Sequence, residues 1–438
     1  MSVTAIGPRD FPPIPSGACA LGIDFGTSGA RAVIVDAQGT ALAEIRQGYP
    51  ASHPEHTASG WRSTLFFLLS RIPPVLRRQL RAIAIDGASA TVLLCNSDGK
   101  ILLPPLLYYD SRAAKEAAFL QTVAPPGQAV LSPSSSLAKL LWFSKQSAYH
   151  DSRYLLHQAD WLAFLLHGQA GVSDYHNSLK LGYDPERLCY PDWLRALPVA
   201  SRLPRVLAPG TPIGPVMKAI AARFSLPADC IVRAGTTDSI AAFLASGACR
   251  TGQAVTSLGS TLVLKVLSKR RVDAAAYGIY SHRLGDLWLA GGASNSGGAV
   301  LRQFFSDARI KRLSARIDPE RPSRLDYYPL LRPGERFPRN DPALPPRLSP
   351  RPTDDAAFLQ GLLEGIARIE ADGYRLLAEL GATPVHEVFS TGGGANNPIW
   401  TRIRQRLLHV MVRHPPHAEA AYGVALLARD GKAVAPPA

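Results

Sequence analysis

Residues 20–39 read A-L-G-I-D-F-G-T-S-G-A-R-A-V-I-V-D-A-Q-G, and this stretch decides the fold. An apolar run ends on Asp24, the small residues 26–29 follow as a turn, and a second apolar run fills residues 32–35. The pattern predicts two antiparallel strands joined by a tight turn. Backbone N–H groups and hydroxyls in such a turn can converge on phosphate oxygens. An ordinary β-hairpin without a ligand is the alternative interpretation.

The acid at the end of the first predicted strand suits a cation. Asp24 could hold Mg²⁺ through water, because this ion keeps part of its hydration shell in proteins. Thr27 and Ser28 supply the hydroxyls of the turn that follows. We therefore take Asp24 as the candidate metal residue and Thr27 and Ser28 as candidate phosphate contacts.

Length and composition indicate a compact protein of more than one domain. The chain has 438 residues, 46% of them hydrophobic and 19% charged. This length predicts about two or three domains. The five cysteines are scattered without a C-x-x-C pair, which favours a reducing, cytoplasmic location and argues against a cysteine-built zinc site. No apolar run approaches the ~20 residues of a membrane span, and residues 1–18 resemble a flexible proline-rich leader rather than a signal peptide.

The net charge of +14 raises the question of nucleic acid as a partner. The basic residues are spread along the whole chain, with no basic run of five and no alternation of basic and aromatic residues. We therefore expect a solvated basic surface, with no nucleic-acid and no membrane partner. Such a surface attracts anionic nucleotides by long-range electrostatics.

Strands and helices recur along the chain in an α/β order. Apolar spacing of three and four predicts helices, and short apolar runs between turn residues predict strands. The predicted strands are residues 41–46, 81–86, 91–95, 101–103, 230–234 and 385–389. The predicted helices begin after Thr57 and cover residues 136–145, 158–166, 217–224, 239–245, 354–380 and 419–427, with another through Trp400. Residues 203–215 and 310–352 are predicted to be mainly loops.

A second hairpin in the later half resembles the first. Residues 254–258 and 262–266 are apolar runs separated by Gly259, Ser260 and Thr261. Two such hairpins in one chain indicate an internally duplicated nucleotide-binding fold. The turn between the runs is a second candidate phosphate contact.

A run of three glycines follows the predicted strand near residue 389. Residues 392–394 can let a ligand lie against bare backbone, because no side chain blocks its approach. Asn397 and Trp400 come within the next turn and could offer polar and stacking contacts to an adenine. A helix-entry loop that uses glycine only for its geometry is the alternative.

Besides Asp24, which is also a candidate substrate contact, three further polar residues are candidates for sugar chemistry. Asp238 lies at a predicted helix start, where it could stay ionised and accept a proton from a substrate hydroxyl, or serve only as a helix N-cap. Ser89 and Asp110 follow apolar strands and could bind sugar hydroxyls or close turns. His157 and His176 have no metal-ligand spacing and are expected to be packing or surface residues.

The order of these segments resembles that of the FGGY carbohydrate kinases, from about residue 20 to residue 427. The segments that carry the resemblance are GIDFGTS (22–28), LLYYDSR (106–112), QADWLAFLLHG (158–168), PGTPIG (209–214), AGTTD (234–238), SLGST (257–261), STGGGA (390–395) and EAAYG (419–423).

The resemblance implies an α/β protein of two actin-like (ribonuclease H-like) lobes with an interlobe catalytic cleft. It places sugar on an N-terminal lobe of residues 19–246, joined by the last helix at residues 417–432. It places ATP on a C-terminal lobe of residues 247–416. Lobe closure is expected to exclude water, and the protein is expected to be a monomer or homodimer.

The resemblance also assigns roles to single residues. Asp238 matches the general base, Asp24 and Thr27 match the first phosphate hairpin, and residues 259–261 match the second. Gly393, Gly394 and Asn397 match the adenosine pocket, so ATP and Mg²⁺ are the expected cofactors. The implied reaction is in-line transfer of the γ-phosphoryl group to a primary alcohol.

Two departures from the family pattern bear on the sugar. Xylulose kinases of the family carry a Met-His pair near the position where this chain has Ala88-Ser89, and the segment 302–352 is short. Both features resemble a compact subgroup that includes D-ribulose kinases, so D-ribulose is the expected substrate, D-xylulose the second and glycerol a weaker third. A non-kinase actin-like ATPase or sensor is the alternative from another class, although Asp24 and Asp238 are both present.

Overall fold

Two sheet-containing units make up the described part of the chain. The structure, a computed structural model, describes residue 15, residues 17–49 and residues 57–433. Internal contacts divide the chain into unit 1, Met1–Ala245 with His417–Pro436, and unit 2, Ser246–Pro416 with Pro437–Ala438. The predicted leader, residues 1–18, falls almost wholly outside the described residues. Within the described ranges, every helix is too short or too polar to cross a bilayer.

The elements of both units alternate along the chain. The strands are β1 (Cys19–Phe25), β2 (Gly29–Asp36), β3 (Ala41–Gly48), β4 (Leu80–Gly87), β5 (Val92–Cys95), β6 (Tyr154–His157), β7 (Val172–Asp174), β8 (Arg205–Leu207), β9 (Pro212–Pro215), β10 (Ile231–Arg233), β11 (Thr236–Thr237), β12 (Gln253–Leu258), β13 (Leu262–Ser268), β14 (Tyr280–Leu284), β15 (Leu287–Ser294), β16 (Glu387–Thr391) and β17 (Met411–Arg413). The α-helices are α1 (Ala58–Arg71), α2 (Pro74–Gln79), α3 (Ala114–Val123), α4 (Ser136–Phe143), α5 (Gln158–His167), α6 (Asp192–Arg195), α7 (Lys218–Phe224), α8 (Asp238–Ala245), α9 (Gly298–Phe304), α10 (Asp307–Ser314), α11 (Asp355–Glu379), α12 (Pro398–Leu408) and α13 (Ala420–Asp430).

The sheet of unit 1 is built outward from the quoted hairpin. β1 pairs antiparallel with β2, which pairs antiparallel with β3, and the other edge of β1 pairs in parallel with β4. β10 and the short β11 continue the sheet in parallel beyond β4. Leu21, Ile23 and Phe25 are fully buried, because they belong to the same hydrophobic cluster as Leu65 of α1 and Leu162 of α5. Burying each such side chain stabilises the fold by about 1.5–3 kcal/mol.

The sheet of unit 2 repeats the same strand arrangement. β12 and β13 form an antiparallel hairpin, β15 pairs antiparallel with β13, and β16 pairs in parallel with β12. β14 and β17 occupy the two edges. In both units three neighbouring strands, β3-β2-β1 and β15-β13-β12, pair antiparallel and are followed by parallel strands, which confirms the internal duplication inferred from the two hairpins. In unit 2, β14 adds a fourth antiparallel strand at the edge.

Most predicted elements are present, and the exceptions have identifiable causes. Residues 203–215 contain β8 and β9, so the prediction of a long loop there was wrong. These strands have only three and four residues, and β9 holds two prolines at the sheet edge, where proline is tolerated. Residues 101–103 form no full strand: Ile101 makes only an isolated antiparallel bridge to Cys95 of β5. The strand that pairs with β5 along its length is β6, which lies far away in sequence.

Helix α13 packs its backbone closely against two elements of unit 1. A Cβ on Gly22 of β1 would overlap the backbone of Ala425 and Ala421. A Cβ on Gly423 would overlap the carbonyl oxygen of Ala241 in α8 and lie 2.8 Å from the nitrogen of Ala245. Glycine at these two positions is therefore required by close packing, and the final helix is part of the core of unit 1.

Replacing Gly423 with Ala is expected to destabilise the protein. The added methyl group collides with backbone, which cannot move as a flexible side chain does, so we expect a loss of about 1–3 kcal/mol. The shift of the urea unfolding midpoint measures this loss. The matched control is Gly48→Ala, because a Cβ on Gly48 would meet no atom within 4 Å. Equal midpoints for the two variants would contradict the close packing of α13.

Candidate functional site

Three aspartates meet where neighbouring strands of the unit 1 sheet end. Asp24 of β1 lies opposite Asp86 of β4, and Asp86 lies opposite Thr236 of β11. Two residues beyond Thr236, Asp238 begins α8. The C-terminal ends of parallel strands lie along the same side of a sheet, so residues from distant parts of the sequence meet there. Asp24 and Asp238 were predicted from the sequence, whereas Asp86 is only the last residue of the predicted strand 81–86.

Asp86 is a completely buried carboxyl group without a hydrogen bond of normal geometry. Its exposed fraction is 0%, and neither oxygen has a hydrogen-bond partner among the described residues. Burial raises the pKa of Asp86 well above its ordinary value, and the charges of Asp24 and Asp238 raise it further. A buried carboxylate in this position needs either a proton or a cation to balance its charge.

The pKa of Asp24 is also raised. Burial is the main cause, and the charge of Asp238 adds to it. The neighbouring Asp86 carboxyl and the guanidinium of Arg31 act in the opposite direction. Arg31 is itself held by Glu44, with 3.1 Å between Nε and Oε1. The cluster is therefore a concentration of negative charge that arginine compensates only in part.

Asp238 lies at the first turn of its helix and is half-buried. Its Oδ1 accepts a hydrogen bond of 2.6 Å from the backbone N–H of Ser239. Thr236 and Thr237, which precede it, are fully buried, so the backbone leading to Asp238 is held in the sheet. A helix N-terminus stabilises negative charge. The geometry gives Asp238 an anchored carboxylate that solvent can still reach.

The carboxylate pair fits the requirements of a divalent cation. Among the described residues, no group of three or more His, Cys, Asp or Glu side chains is arranged to hold a metal ion by itself. Mg²⁺ typically binds to one or two carboxylates and completes its octahedron with water and substrate phosphates. Asp24 and Asp86 match that donor set, because a cation would balance the charge of Asp86, whose carboxylate oxygens have no hydrogen-bond partner among the described residues.

A small cavity of unit 1 is lined in part by residues that directly follow β1 and β4, the strands that carry Asp24 and Asp86. It has a volume of about 140 Å³, and its lining includes Gly26, Thr27, Trp61, Ala88, Thr91, Leu107, Tyr108, Tyr109 and Gln158. The predicted first turn thus contributes Thr27 directly, while Ser28 is exposed next to it. Ser89 is half-buried and follows a lining residue. Aromatic rings with a few polar groups are a common lining for a small polar ligand.

Asp110 has its carboxylate engaged by Arg112. The Nε of Arg112 lies 2.9 Å and 3.0 Å from the two carboxylate oxygens. Burial by itself would raise the pKa of Asp110, but hydrogen bonds from Arg112 and its charge hold it below the ordinary value. A role in binding sugar hydroxyls therefore requires Asp110 to share its oxygens with this ion pair.

Buried polar side chains hold the cavity walls in place. Lys139 of α4 is fully buried, and its Nζ donates to the carbonyl oxygens of Ala90 (2.8 Å) and Leu107 (2.6 Å). The Oε1 of Gln158 accepts from the N–H of Ala88 at 3.1 Å. Burial lowers the pKa of Lys139 to about 7. The apolar spacing of α4 gave no sign of this role, because Lys139 makes contacts with residues far away in sequence.

The two histidines without metal-ligand spacing are buried packing residues, as expected. His157 joins α4 to α5, with 2.9 Å from its Nε2 to Ser136 Oγ and 3.0 Å from its Nδ1 to Asp160 Oδ2. This Ser-His-Asp arrangement is inaccessible to a substrate, since Ser136 and His157 are each 0% exposed. His176 Nδ1 lies 2.7 Å from Thr236 Oγ1 and so supports the strand before Asp238.

In unit 2 the second small-residue turn lies against two glycine-containing turns. The N–H of Gly298 donates to Gly259 O at 2.9 Å, and a Cβ on Gly297 would lie 2.7 Å from Ser260 O. Gly392, with φ +80°, is so close to Leu258 that a Cβ would lie 2.8 Å from its carbonyl carbon. Gly393 has open space around it. Residues 259–261 and the triple glycine are therefore close together, and a shared phosphate and adenosine site there stays a prediction.

Asn397 and Trp400 take structural positions that differ from the adenine contacts predicted for them. Asn397 caps α12, since its Oδ1 accepts from the N–H groups of Ile399 and Trp400 at 3.1 Å and 3.2 Å. Trp400 is only 1% exposed and donates its indole N–H to Leu363 O at 3.1 Å. Its ring supports the turn instead, because a Cβ on Gly394 would meet it. A stacking role for Trp400 is at odds with this burial.

Comparison with known proteins places both units in one family. The model of the N-terminal domain of the FGGY family of carbohydrate kinases matches residues 19–245, and the model of its C-terminal domain matches residues 254–429. The chain belongs to the FGGY family of carbohydrate kinases. The resemblance inferred from the motifs is thereby confirmed. By its contacts, however, α13 packs with unit 1, although the C-terminal family model includes it.

Relatives of this FGGY chain span nearly its whole length. It is 24% identical to the xylulose kinase of Bacillus subtilis over 94% of this chain and 88% of the relative. It is 23% identical to the xylulose kinase of Escherichia coli, covering 87% and 83% of the two chains. The L-fuculokinase of Salmonella typhi is 23% identical, covering 91% and 89%.

Solved structures share the fold of this FGGY chain. A xylulose kinase from Brucella ovis aligns with a TM-score of 0.82 at 23% identity over 96% of this chain and 93% of that one. The structure of Plasmodium falciparum glycerol kinase with ADP also aligns with a TM-score of 0.82, at 15% identity over 94% of this chain and 89% of that one. The predicted α/β class of two actin-like domains is confirmed.

Proposed function

We propose that the chain is an ATP-dependent kinase that phosphorylates a primary hydroxyl of a ketopentose. The observation that carries this proposal is the anchored carboxylate of Asp238 beside Asp24, at the ends of strands of the unit 1 sheet. Residues that directly follow β1 and β4 line the small cavity. A filament or sensor on this fold has no need of a base directed at a sugar hydroxyl. Sugar binds in unit 1, and ATP binds in unit 2 at residues 259–261 and 392–394.

D-Xylulose is the first candidate sugar. Several relatives that span most of the chain are named xylulose kinases, which supports a ketopentose and favours D-xylulose over the D-ribulose expected from the motifs. D-Ribulose is the second candidate, and a specific observation favours it. Ala88 lies in the cavity wall, with Ser89 next to it, where xylulose kinases were expected to carry Met-His. The small side chains leave room that a Met-His pair would fill.

The proposed mechanism is an in-line transfer in which the protein mainly positions the reactants. Asp238 accepts the proton of the sugar hydroxyl as its oxygen forms a bond to the γ-phosphorus. The bond from that phosphorus to the β–γ bridging oxygen breaks, and ADP leaves with the electron pair. The walls held by Lys139 and Gln158 orient the sugar. Mg²⁺, when bound, would neutralise charge on the phosphates, and Asp24 and Asp86 are the residues that would hold it.

ATP consumption by the purified chain tests the proposal. The panel consists of D-xylulose, D-ribulose, L-ribulose, xylitol, ribitol and glycerol, each measured against a blank without sugar. Strong stimulation by one ketopentose supports the kinase and identifies its substrate. A flat panel with steady hydrolysis in the blank would instead support a non-kinase actin-like ATPase or sensor.

Replacing Asp24 with Asn is expected to weaken the dependence of catalysis on Mg²⁺. Loss of one ligand charge typically lowers metal affinity by about 10–100-fold, so the Mg²⁺ concentration for half-maximal rate should rise by a similar factor. The measurement is a Mg²⁺ titration of the sugar-dependent rate at fixed ATP. Asp192→Asn is the matched control, because Asp192 is an exposed acid of unit 1 in α6. A titration midpoint that is unchanged in Asp24→Asn would remove the metal role.

A further inference from the structure

Unit 2 contains one arginine placed at the junction of its glycine turns. Arg302 lies in α9, the helix that directly follows Gly297, and its side chain is exposed. Its Nη2 donates a hydrogen bond of 2.9 Å to Ser260 Oγ, in the middle of the second small-residue turn. A Cβ built on Gly298 would lie 3.4 Å from Nη1, so the guanidinium lies over the backbone of that glycine.

The charge of Arg302 is not balanced by a neighbouring acid. Within the part of the chain that the structure describes, no carboxylate lies within 4.0 Å of this guanidinium, and its only hydrogen-bond partner is the Ser260 hydroxyl. Many other arginines of unit 2 are paired, for example Arg309 with Asp355 and Arg402 with Glu320. Arg302 therefore brings an uncompensated positive charge to a turn with accessible backbone.

The hydrogen bond to Ser260 also orients the hydroxyl group. A serine hydroxyl that accepts from a guanidinium keeps its own hydrogen free to donate elsewhere. Arg302 has further N–H donors in a planar fork that matches the oxygens of a phosphate group. Arg302 and Ser260 thus offer several hydrogen-bond donors in one place. Their one acceptor, the serine oxygen, is already occupied by the guanidinium. This is the chemistry that binds an anion.

We propose that Arg302 binds the β- and γ-phosphates of the nucleotide, together with Ser260. This inference rests on the proposed function, in which unit 2 holds ATP. During transfer, negative charge grows on the β–γ bridging oxygen as its bond to the γ-phosphorus breaks. Arg302 stays protonated throughout and stabilises that charge without exchanging a proton. The electron pair leaves with ADP, and the proton from the sugar goes to Asp238.

The variant Arg302→Gln tests the proposal in the full-length chain. A charge-assisted hydrogen bond of this kind typically changes affinity by about 10–100-fold. We expect the dissociation constant for ADP to rise by such a factor in calorimetry, while that for AMP changes less than about twofold, since AMP lacks the β-phosphate. Glutamine is a good helix former, so α9 should remain intact. Arg302→Lys keeps the positive charge but loses the planar fork of N–H donors. Its dissociation constant for ADP should therefore lie between those of the unaltered chain and of Arg302→Gln.

Arg270→Gln is the matched control. It removes the same charge from an exposed position just after the C-terminal end of β13. The Gly259–Thr261 turn lies at the other end of that strand, just before it begins. At about 3.3 Å per residue the strand separates the two positions by roughly 20–25 Å. This variant should bind ADP and AMP as the unaltered chain does. Unfolding midpoints of all variants show whether a loss of binding comes from a loss of structure.

The other outcomes each overturn a different statement. If Arg302→Gln binds ADP as tightly as the unaltered chain, Arg302 does not contact the phosphates. If it loses ADP and AMP equally while still folded, the side chain acts on the adenosine part, and the assignment to the terminal phosphates fails. If the unaltered chain binds ADP normally but phosphorylates no sugar, the proposed function fails while the role of Arg302 stands. If the unaltered chain binds no nucleotide, both fail.

Discussion

Replacing Asp238 with Asn is expected to lower kcat for the active ketopentose by about 10²–10⁴-fold, the range for losing a positioned general base. The amide cannot accept the hydroxyl proton, although it has nearly the same shape and can keep the contact with the N–H of Ser239. ADP affinity should be unchanged, because the nucleotide is proposed to bind to unit 2. Sugar-dependent ATP consumption and calorimetry with ADP measure the two quantities.

The control for this variant is again Asp192→Asn, an equivalent change at an exposed acid of the same unit. Asp238→Ala, which also removes the acceptor oxygens, should lose activity at least as strongly while still binding nucleotide. Full sugar-dependent turnover in Asp238→Asn or Asp238→Ala would exclude this residue as the base. A rise in KM with unchanged kcat would assign it to sugar binding alone.

Replacing Arg404 with Met is expected to destabilise the protein by about 3–5 kcal/mol, because it leaves a buried carboxylate without its partner. Arg404 and Glu370 are both 0% exposed, and two bonds of 2.6 Å join the guanidinium to the two carboxylate oxygens. Thr256 Oγ1 donates to the same carboxylate at 2.6 Å, and Arg404 also contacts Ser390. This network connects α12, α11, β12 and β16 in the core of unit 2.

Urea unfolding of the full chain measures the loss, and two further variants interpret it. Arg413→Met breaks a pair between the exposed Arg413 and the half-buried Glu387 (3.0 Å) and should cost at most about 1 kcal/mol. The double variant Arg404→Met/Glu370→Leu removes both charges and should be more stable than Arg404→Met alone. If Arg404→Met and Arg413→Met shift the midpoint equally, the buried pair does not stabilise unit 2 as described.

Much of the fold could be predicted from local sequence. The boundary of α1 follows from Thr57, whose hydroxyl caps the helix by accepting from the N–H of Gly60, and from the apolar spacing that begins at Trp61. α11 follows in the same way from Asp354 and a long apolar stripe. β8 and β9 could not be predicted, because short edge strands with proline are held by partners elsewhere in the chain.

The candidate site was predicted in part, residue by residue. Asp24 and Asp238 each follow a recognisable local pattern, an acid at a strand end and an acid at a helix start. Asp86 also lies near a strand end, but its importance depends on the pairing of β4 with β1. The register of that pairing places Asp86 directly opposite Asp24. Trp400 was misjudged because its position next to the triple glycine does not reveal that α12 buries the ring against α11.

The sequence by itself determined the two hairpins with small-residue turns, the duplication of the fold, and the acids that end a strand or begin a helix. These features depend on apolar alternation, glycine and capping, which act between residues close together in the chain. Only the tertiary structure decided that Asp86 joins Asp24 and Asp238, that Lys139 holds the cavity walls, and that Arg302 reaches Ser260. Strand order and register bring such residues together, and both depend on burying apolar faces contributed by distant parts of the sequence.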